Sequence, residues 1–456
     1  MSLSLSDLGS AVRKTEYAVR GPIVARAQEL ERSGRRIIWC NIGNPQALEQ
    51  KPITWLRQII SLCEWPELAE RAPGAFPAEA IEAARTILKG SQHGLGAYSE
   101  SKGLKVVREA VAHFIKRRDG IDADPEAIYL TDGASKGVQA ALRILIAKPS
   151  TPTGGDGIMI PIPQYPLYSA TITLYEGRQV PYHLDESHDW KLSRELLEGA
   201  LAKAKAEGTS VRAICVINPG NPTGAVLDRA NIEMIADFAK AHNLSILADE
   251  VYQENVYRKG ERFVSFAKVL SDKGERGVSL FSFHSCSKGY LGECGHRGGY
   301  MEIRNIPAEV VTEITKLQSV SLCSNLPGQV ATWCLVSPPP EGSPSHAIWK
   351  AEREAILAEL AARAKLLAEG LNKIPGIVSN EVAGAMYAFP KISLPAGKTD
   401  EDWCMALLEK TGICVVPGTG FGQDPGTAHF RTTILPPTAQ LKEVVELIAD
   451  FHKNYR

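Results

Sequence analysis

The 456-residue chain predicts an α/β fold, with a large domain of mostly parallel mixed sheet flanked by helices and a smaller α/β domain. Three observations carry that expectation. Short apolar runs alternate with amphipathic helical stretches through the middle of the chain, the pattern of a sheet covered on both faces. A proline-rich break, SPPPEGSPSH (337–346), then interrupts the alternation, since three consecutive prolines cannot continue a helix. The length also exceeds what one ordinary core serves, so two or three domains are expected.

The elements follow in order. GIMIP (157–161), RAICVI (212–217), LSILAD (244–249), SLFSF (279–283) and the GGYMEI that follows Arg297 read as buried strands. SKGVQAALRILIAK (135–148) and DRANIEMIADFAKAH (228–242) read as the helices between them. After the proline break, WKAEREAILAELAARAKLLAEGLNKIPG has the length and period of one long surface helix ending at a Pro-Gly stop. It opens the smaller domain. The expected division is a large domain over 46–336 and a small one built from 1–45 and 337–456.

Composition narrows the function classes. An apolar fraction of 44% and a charged fraction of 23% are those of a globular protein. A net charge of −1 gives no general attraction to nucleic acid or anionic membrane, so any bound anion must be held locally. The nine cysteines are scattered, odd in number and free of CxxC pairs, which suits a reducing compartment better than a disulfide framework or zinc site. The first residues lack the apolar core of a secretory signal, and Asp7 and Glu16 argue against a mitochondrial leader. A cytoplasmic protein is expected, with no metal.

In sheets of this kind ligands bind beyond the carboxyl ends of the strands. Three such ends carry polar motifs. RAICVI runs into NPGNPTG (218–224), LSILAD into Asp249-Glu250-Val251-Tyr252, and SLFSF into SFHSCSKGYLGECGHRGGY (282–300), which contains Lys288. Each alone reads equally as a turn, a satisfied carboxylate or a solvated lysine. Together they match the needs of pyridoxal 5'-phosphate: a lysine for a Schiff base and a carboxylate to keep the ring nitrogen protonated. Lys288 and Asp249 are the candidates, with Tyr252 and Asn221 donating to the phenolic oxygen. TDGASKG (131–137) opens a helix whose Ala134 and Ser135 N–H groups would face a phosphate. Ser285, Ser287 and the guanidinium of Arg297 would complete that nest. Tyr165, in PIPQYPLYSA (161–170), is a candidate to stack on the ring or simply to shape a loop. The glycine-rich GTGFGQ after Pro417 lacks a following helix pattern and reads as a loop.

These motifs resemble those of the fold-type I pyridoxal phosphate-dependent aminotransferases, the aspartate aminotransferase superfamily. YAVRGPI (17–23), CNIGNPQ (40–46), GAYSESKG (96–103), RDGIDADPEAIYLTDGAS (118–135), MIPIPQYPLYSA (159–170), GAMYAFP (384–390) and TGICVVPGTGFGQ (411–423) narrow the resemblance to the alanine aminotransferase family. It covers the chain from about residue 15 onward. The resemblance implies that Lys288 carries the cofactor, Asp249 holds its ring nitrogen and Tyr165 stacks on it. It further implies that Arg431, in HFRTTILPP (429–437), grips the substrate α-carboxylate under a loop containing Gly43. Tyr98 would reach the phosphate of a second subunit, so a homodimer with shared active sites is implied.

The implied reaction is L-alanine + 2-oxoglutarate ⇌ pyruvate + L-glutamate, in ping-pong fashion through pyridoxamine phosphate. Glutamate:glyoxylate transfer, another amino-acid transfer, and C–S lysis or decarboxylation on the same cofactor stand as alternatives. A cofactor-sensing transcription regulator would need a DNA-binding module, for which neither an extension nor a basic stripe is expected. Two departures from the family pattern occur, Cys286 in place of a usual threonine and Ala225 in place of a common glutamine. The start near the catalytic core, without a longer leader, also favours the cytosol.

Overall fold

The computed structural model describes residues 3–17, 21–72 and 74–455. Within YAVRGPI, residues 18–20 lie outside the described residues. The centre of the molecule is a seven-stranded sheet. Its order is Ile128–Asp132, Gly298–Arg304, Leu280–Ser285, Ser245–Asp249, Thr209–Ile217, Gly155–Ile162 and Arg178–His183. Gly298–Arg304 runs antiparallel to both of its neighbours, and the remaining pairs are parallel. The expected mostly parallel mixed sheet is therefore present.

The apolar runs are continuous because both sheet faces are covered. Ile214, Val216, Ile246 and Ala248 enter one core cluster, while Ala213, Cys215, Leu247 and Phe283 enter the other. Two strands of this sheet escaped the sequence reading. Ile128–Asp132 is short and sits inside a stretch noted only for its turn, and Arg178–His183 is an edge strand whose alternate residues are exposed. Edge strands carry polar residues outward and lose the apolar signature.

Local chemistry sets the helix starts. Asp228 accepts from the N–H of Asn231 at 2.9 Å and caps helix Arg229–Ala241. The long helix begins inside the proline break, at Pro344, and ends at Leu371. Proline is tolerated at the first helical position, and Ser343 caps the turn by accepting from the N–H of His346 at 3.1 Å. This helix is superficial only in its first half, because Leu360, Ala364, Leu367 and Leu371 are buried in a third core cluster.

That cluster also contains Ile23, Ala27, Leu30 and Ile38 from the N-terminal region and Trp403, Phe430 and Phe451 from the C-terminal region. Main-chain pairing threads the N-terminal segment into place. Ile38–Trp39 runs parallel to Ile413–Cys414, and the N–H of Thr433 donates to the carbonyl of Cys40 at 2.9 Å. Residues 41–43 therefore lie beside the strand Phe430–Thr433, at the edge of the main cleft.

Candidate active site

Parallel strands end together, so their terminal residues converge. Ile217 pairs with Asp249 and Asp249 with Phe283, and the antiparallel neighbour brings its first residues to the same edge, Gly299 opposite Ser285. A cleft of about 1310 Å³ opens at this edge, between the sheet and the segment 39–47. Of the thirteen candidates from the sequence, twelve line it: Gly43, Ala134, Ser135, Tyr165, Asn221, Asp249, Tyr252, Ser285, Ser287, Lys288, Arg297 and Arg431. Tyr98 does not. It stands 78% exposed, away from the cleft of its own chain.

Asp249 closes its strand with the carboxyl buried. The phenol of Tyr168 donates to its Oδ2 at 3.1 Å, while Oδ1 has no hydrogen-bond partner among the described residues. Burial pushes this carboxyl up from 3.8 to about 6, against the opposing Tyr168 hydrogen bond, the Val251 N–H and the charge of Lys288. A buried carboxylate oxygen without a donor is costly, and a protonated heteroaromatic nitrogen is one kind of partner that would suit it.

Lys288 follows the end of the next strand. Its Nζ donates to the carbonyl of Gly43 at 2.6 Å and lies 5.9 Å from the centre of the Tyr252 ring. Tyr252 is buried, and burial followed by the neighbouring Tyr387 and Tyr165 phenols raises its phenol well above the ordinary range. It therefore stays protonated and able to donate. Gly43 has no room for a side chain. A Cβ there would fall 1.8 Å from Tyr387 Oη and 3.2 Å from Lys288 Nζ.

The anion nest is built from three segments. Helix Ala134–Leu145 starts beside the cleft with Gly133 at φ +75, and a Cβ at Gly133 would collide with the Arg297 guanidinium. Arg297 donates from Nη2 to Ser135 Oγ at 3.2 Å and to the Asp132 carbonyl at 3.1 Å. From Nη1 it donates to the Cys294 carbonyl at 3.1 Å. The Ser285 hydroxyl, with one proton to give, lies 3.0 Å from both Ser287 Oγ and the Gly298 carbonyl. Helix N–H groups, hydroxyls and a guanidinium thus meet at one end of the cleft, an arrangement suited to a phosphate dianion.

Arg431 lies at the other end, 1% exposed. Nη2 donates to the Asn41 carbonyl at 2.6 Å and Nη1 to Asn221 Oδ1 at 3.3 Å. Each terminal nitrogen keeps a second N–H, enough for a two-pronged carboxylate contact. Its guanidinium carbon lies 4.3 Å from the centre of the Tyr387 ring and 4.7 Å from that of Phe421. Phe421 belongs to GTGFGQ, which forms the short 3₁₀ turn Gly418–Phe421 rather than a plain loop. Tyr387, Tyr168, Phe421 and Asn41 were not singled out from sequence. GAMYAFP, PIPQYPLYSA, GTGFGQ and CNIGNPQ had marked all four of their segments, but not these side chains.

A primary amine, an unpaired buried carboxylate oxygen, phenol donors and an anion nest in one cleft fit pyridoxal 5'-phosphate. Fold and site together define a pyridoxal phosphate enzyme. The family model for aminotransferase class I and II matches residues 69–448. A probable mitochondrial alanine aminotransferase of Dictyostelium discoideum is 47% identical over 482 positions, covering 100% of this chain and 89% of the relative. Glutamate–glyoxylate aminotransferase 1 of Arabidopsis thaliana is 46% identical over 469 positions, covering 100% and 96%. The solved alanine aminotransferase of Pyrococcus furiosus superposes with a TM-score of 0.80 at 27% identity, covering 98% and 99%. The chain belongs to the class I and II aminotransferases, and it is a pyridoxal 5'-phosphate-dependent enzyme acting on amino acids and 2-oxo acids.

Proposed function

We propose that the enzyme transfers the amino group of L-alanine to 2-oxoglutarate, giving pyruvate and L-glutamate in two half-reactions. The observation that supports amino transfer most directly is the shared cleft of Lys288, Asp249 and Arg431. Bound pyridoxal phosphate supplies an electron sink for a substrate carbanion and a carrier for the amino group. The remaining work falls to the chain. Arg431 docks the α-carboxylate through its two spare N–H groups, which turns the Cα–H toward Lys288. The Lys288 amine takes the proton from Cα and returns it on the carrier side. Asp249 would keep the ring nitrogen protonated, Tyr252 and Asn221 would donate to the phenolic oxygen, and Tyr165 would stack on the ring. Ala134, Ser135, Ser285, Ser287 and Arg297 hold the phosphate, and the Gly43 loop excludes water above the amine.

The choice of alanine rests on relatives rather than on geometry, and relatives named for alanine and for glutamate–glyoxylate transfer are nearly equally similar. Glutamate:glyoxylate transfer is therefore the second reading. Stopped-flow absorbance of the purified enzyme separates them. The visible band should disappear with L-alanine or L-glutamate and return with pyruvate or 2-oxoglutarate. A band untouched by alanine but restored fastest by glyoxylate would reject the alanine reading. Lys288→Ala should bind cofactor without turnover, and near-normal turnover would remove the central assignment.

We further propose the domain division at 46 and 337, supported by the separate core clusters, and a homodimer in which the exposed Tyr98 completes a neighbour's phosphate nest. A cytoplasmic location is supported by nine free cysteines; among the described residues, no helix is long and apolar enough to cross a membrane.

A further inference from the structure

The turn that follows Asp249 ends at Asn255, which is 0% exposed. A primary amide at that depth must have both ends satisfied. Its Oδ1 accepts from the N–H of Gly289, the residue after Lys288, at 2.9 Å. Its Nδ2 donates to Tyr257 Oη at 3.2 Å, and Tyr257 Oη donates in turn to the carbonyl of Ala385 at 2.7 Å. The main chain repeats the link. The N–H of Ala385 donates to the Asn255 carbonyl at 3.0 Å, that of Tyr257 to the Ala383 carbonyl at 2.7 Å, and Val256 bridges Gly384.

Both segments turn through the left-handed region. Gly289 sits at φ +66, which glycine adopts freely, and Ala385 at φ +57, which alanine rarely adopts and which is therefore costly. Such backbone persists only where its surroundings over-determine it. Two residues beyond Ala385 stands Tyr387, whose hydroxyl crowds Gly43 and whose ring lies against Arg431. Asn255 therefore touches, by one side chain and one relay, the turn carrying the amine and the segment carrying the phenol.

We propose that Asn255 is a positioning residue that locks the Lys288 turn to the 383–387 segment. It keeps the Lys288 amine, the Tyr387 phenol and the Arg431 guanidinium in one register. The inference rests on Lys288 being the amine that carries the cofactor. Asn255 is not among the residues lining the cleft, so its effect passes through Gly289 on one side and Tyr257 on the other. Tyr257→Phe removes only the second arm, which makes the two arms separable.

The test uses hydrogen exchange of the full-length protein, with and without cofactor, read on peptides covering 284–292 and 383–390. Asn255→Ala should raise exchange about tenfold in both peptides, the scale of one lost buried hydrogen bond. Tyr257→Phe should raise it in 383–390 alone. In the loaded enzyme, Asn255→Ala should move the pH midpoint of the visible cofactor band and raise KM for the amino acid while lowering kcat. Ile235→Ala, a core truncation in helix Arg229–Ala241, should lower stability without moving that midpoint. Unchanged exchange in either peptide of Asn255→Ala, or an unmoved midpoint, overturns the proposal. Should Asn255→Ala fail to fold, unchanged exchange at 383–390 in Tyr257→Phe overturns it. Failure of the Lys288 assignment would show separately, as turnover by Lys288→Ala, and leaves the cofactor-free exchange result unaffected.

Discussion

Asp249→Asn should stabilise the cofactor-free protein at neutral pH while crippling the enzyme. Burial raises the Asp249 carboxyl from 3.8 to about 6, so between those two pH values the folded protein holds a proton there that the unfolded chain has released, and above them it carries a buried charge. Stability from this group is fully present below about pH 4, is lost progressively as pH rises through about 6, and is constant above. The rise from 3.8 to about 6 corresponds to about 3 kcal/mol, and roughly half of that persists at pH 5. Asparagine has the same shape, keeps an oxygen for the Tyr168 hydroxyl and never ionises. The cofactor-free variant should therefore exceed the parent by up to about 3 kcal/mol at pH 8, with the gap narrowing toward pH 5. Urea unfolding midpoints of both cofactor-free proteins, taken from pH 5 to 8, measure the gap. Adding pyridoxal phosphate should reverse the order, because only the carboxylate gains a charged partner and ligand binding stabilises the tighter binder more. Parallel pH profiles for the two cofactor-free proteins would refute the reasoning, as would a loaded Asp249→Asn enzyme with ordinary kcat.

Three further outcomes follow from distances in the cleft. Gly43→Ala places a methyl 1.8 Å from Tyr387 Oη, so one of the two must move; kcat/KM should fall about a hundredfold with thermal stability nearly unchanged. Steady-state kinetics beside a melting curve checks this, and an ordinary kcat/KM would count against the close approach. Arg431→Lys removes the planar fork, and KM for the amino acid should rise about ten- to hundredfold while cofactor affinity holds. Tyr168→Phe takes the one hydroxyl from Asp249 Oδ2, which should raise that carboxyl further and weaken cofactor binding about tenfold by fluorescence titration.

Much of the site was legible in the sequence because strand ends are. An apolar run followed at once by Asp249, by NPGNPTG or by the Lys288 segment marks a sheet edge, and parallel strands bring such edges together. The nest at Ala134 and Ser135 was legible for a similar reason, since a glycine turn before a helical pattern announces a helix N-terminus. Arg431 and Gly43 had no such local signal, and only the family resemblance pointed to them. Tyr168 was read past because PIPQYPLYSA offered Tyr165 or a plain loop and gave no sign of the helix Pro166–Leu174, and its hydroxyl gains meaning only from the carboxyl that it meets.

By itself the sequence determined the alternation of strand and helix, the break before the long helix, and the set of chemical groups that one cofactor needs. These are properties of neighbours in the chain, written in burial period, capping and turn chemistry. The tertiary structure alone decided that Gly43, Lys288, Tyr387 and Arg431 share one cleft, that Asp249 keeps one oxygen unpaired, and that Asn255 ties two of its walls together. The reason is physical. Groups separated by tens to hundreds of residues meet only through core packing and main-chain pairing, and no local pattern records that distance.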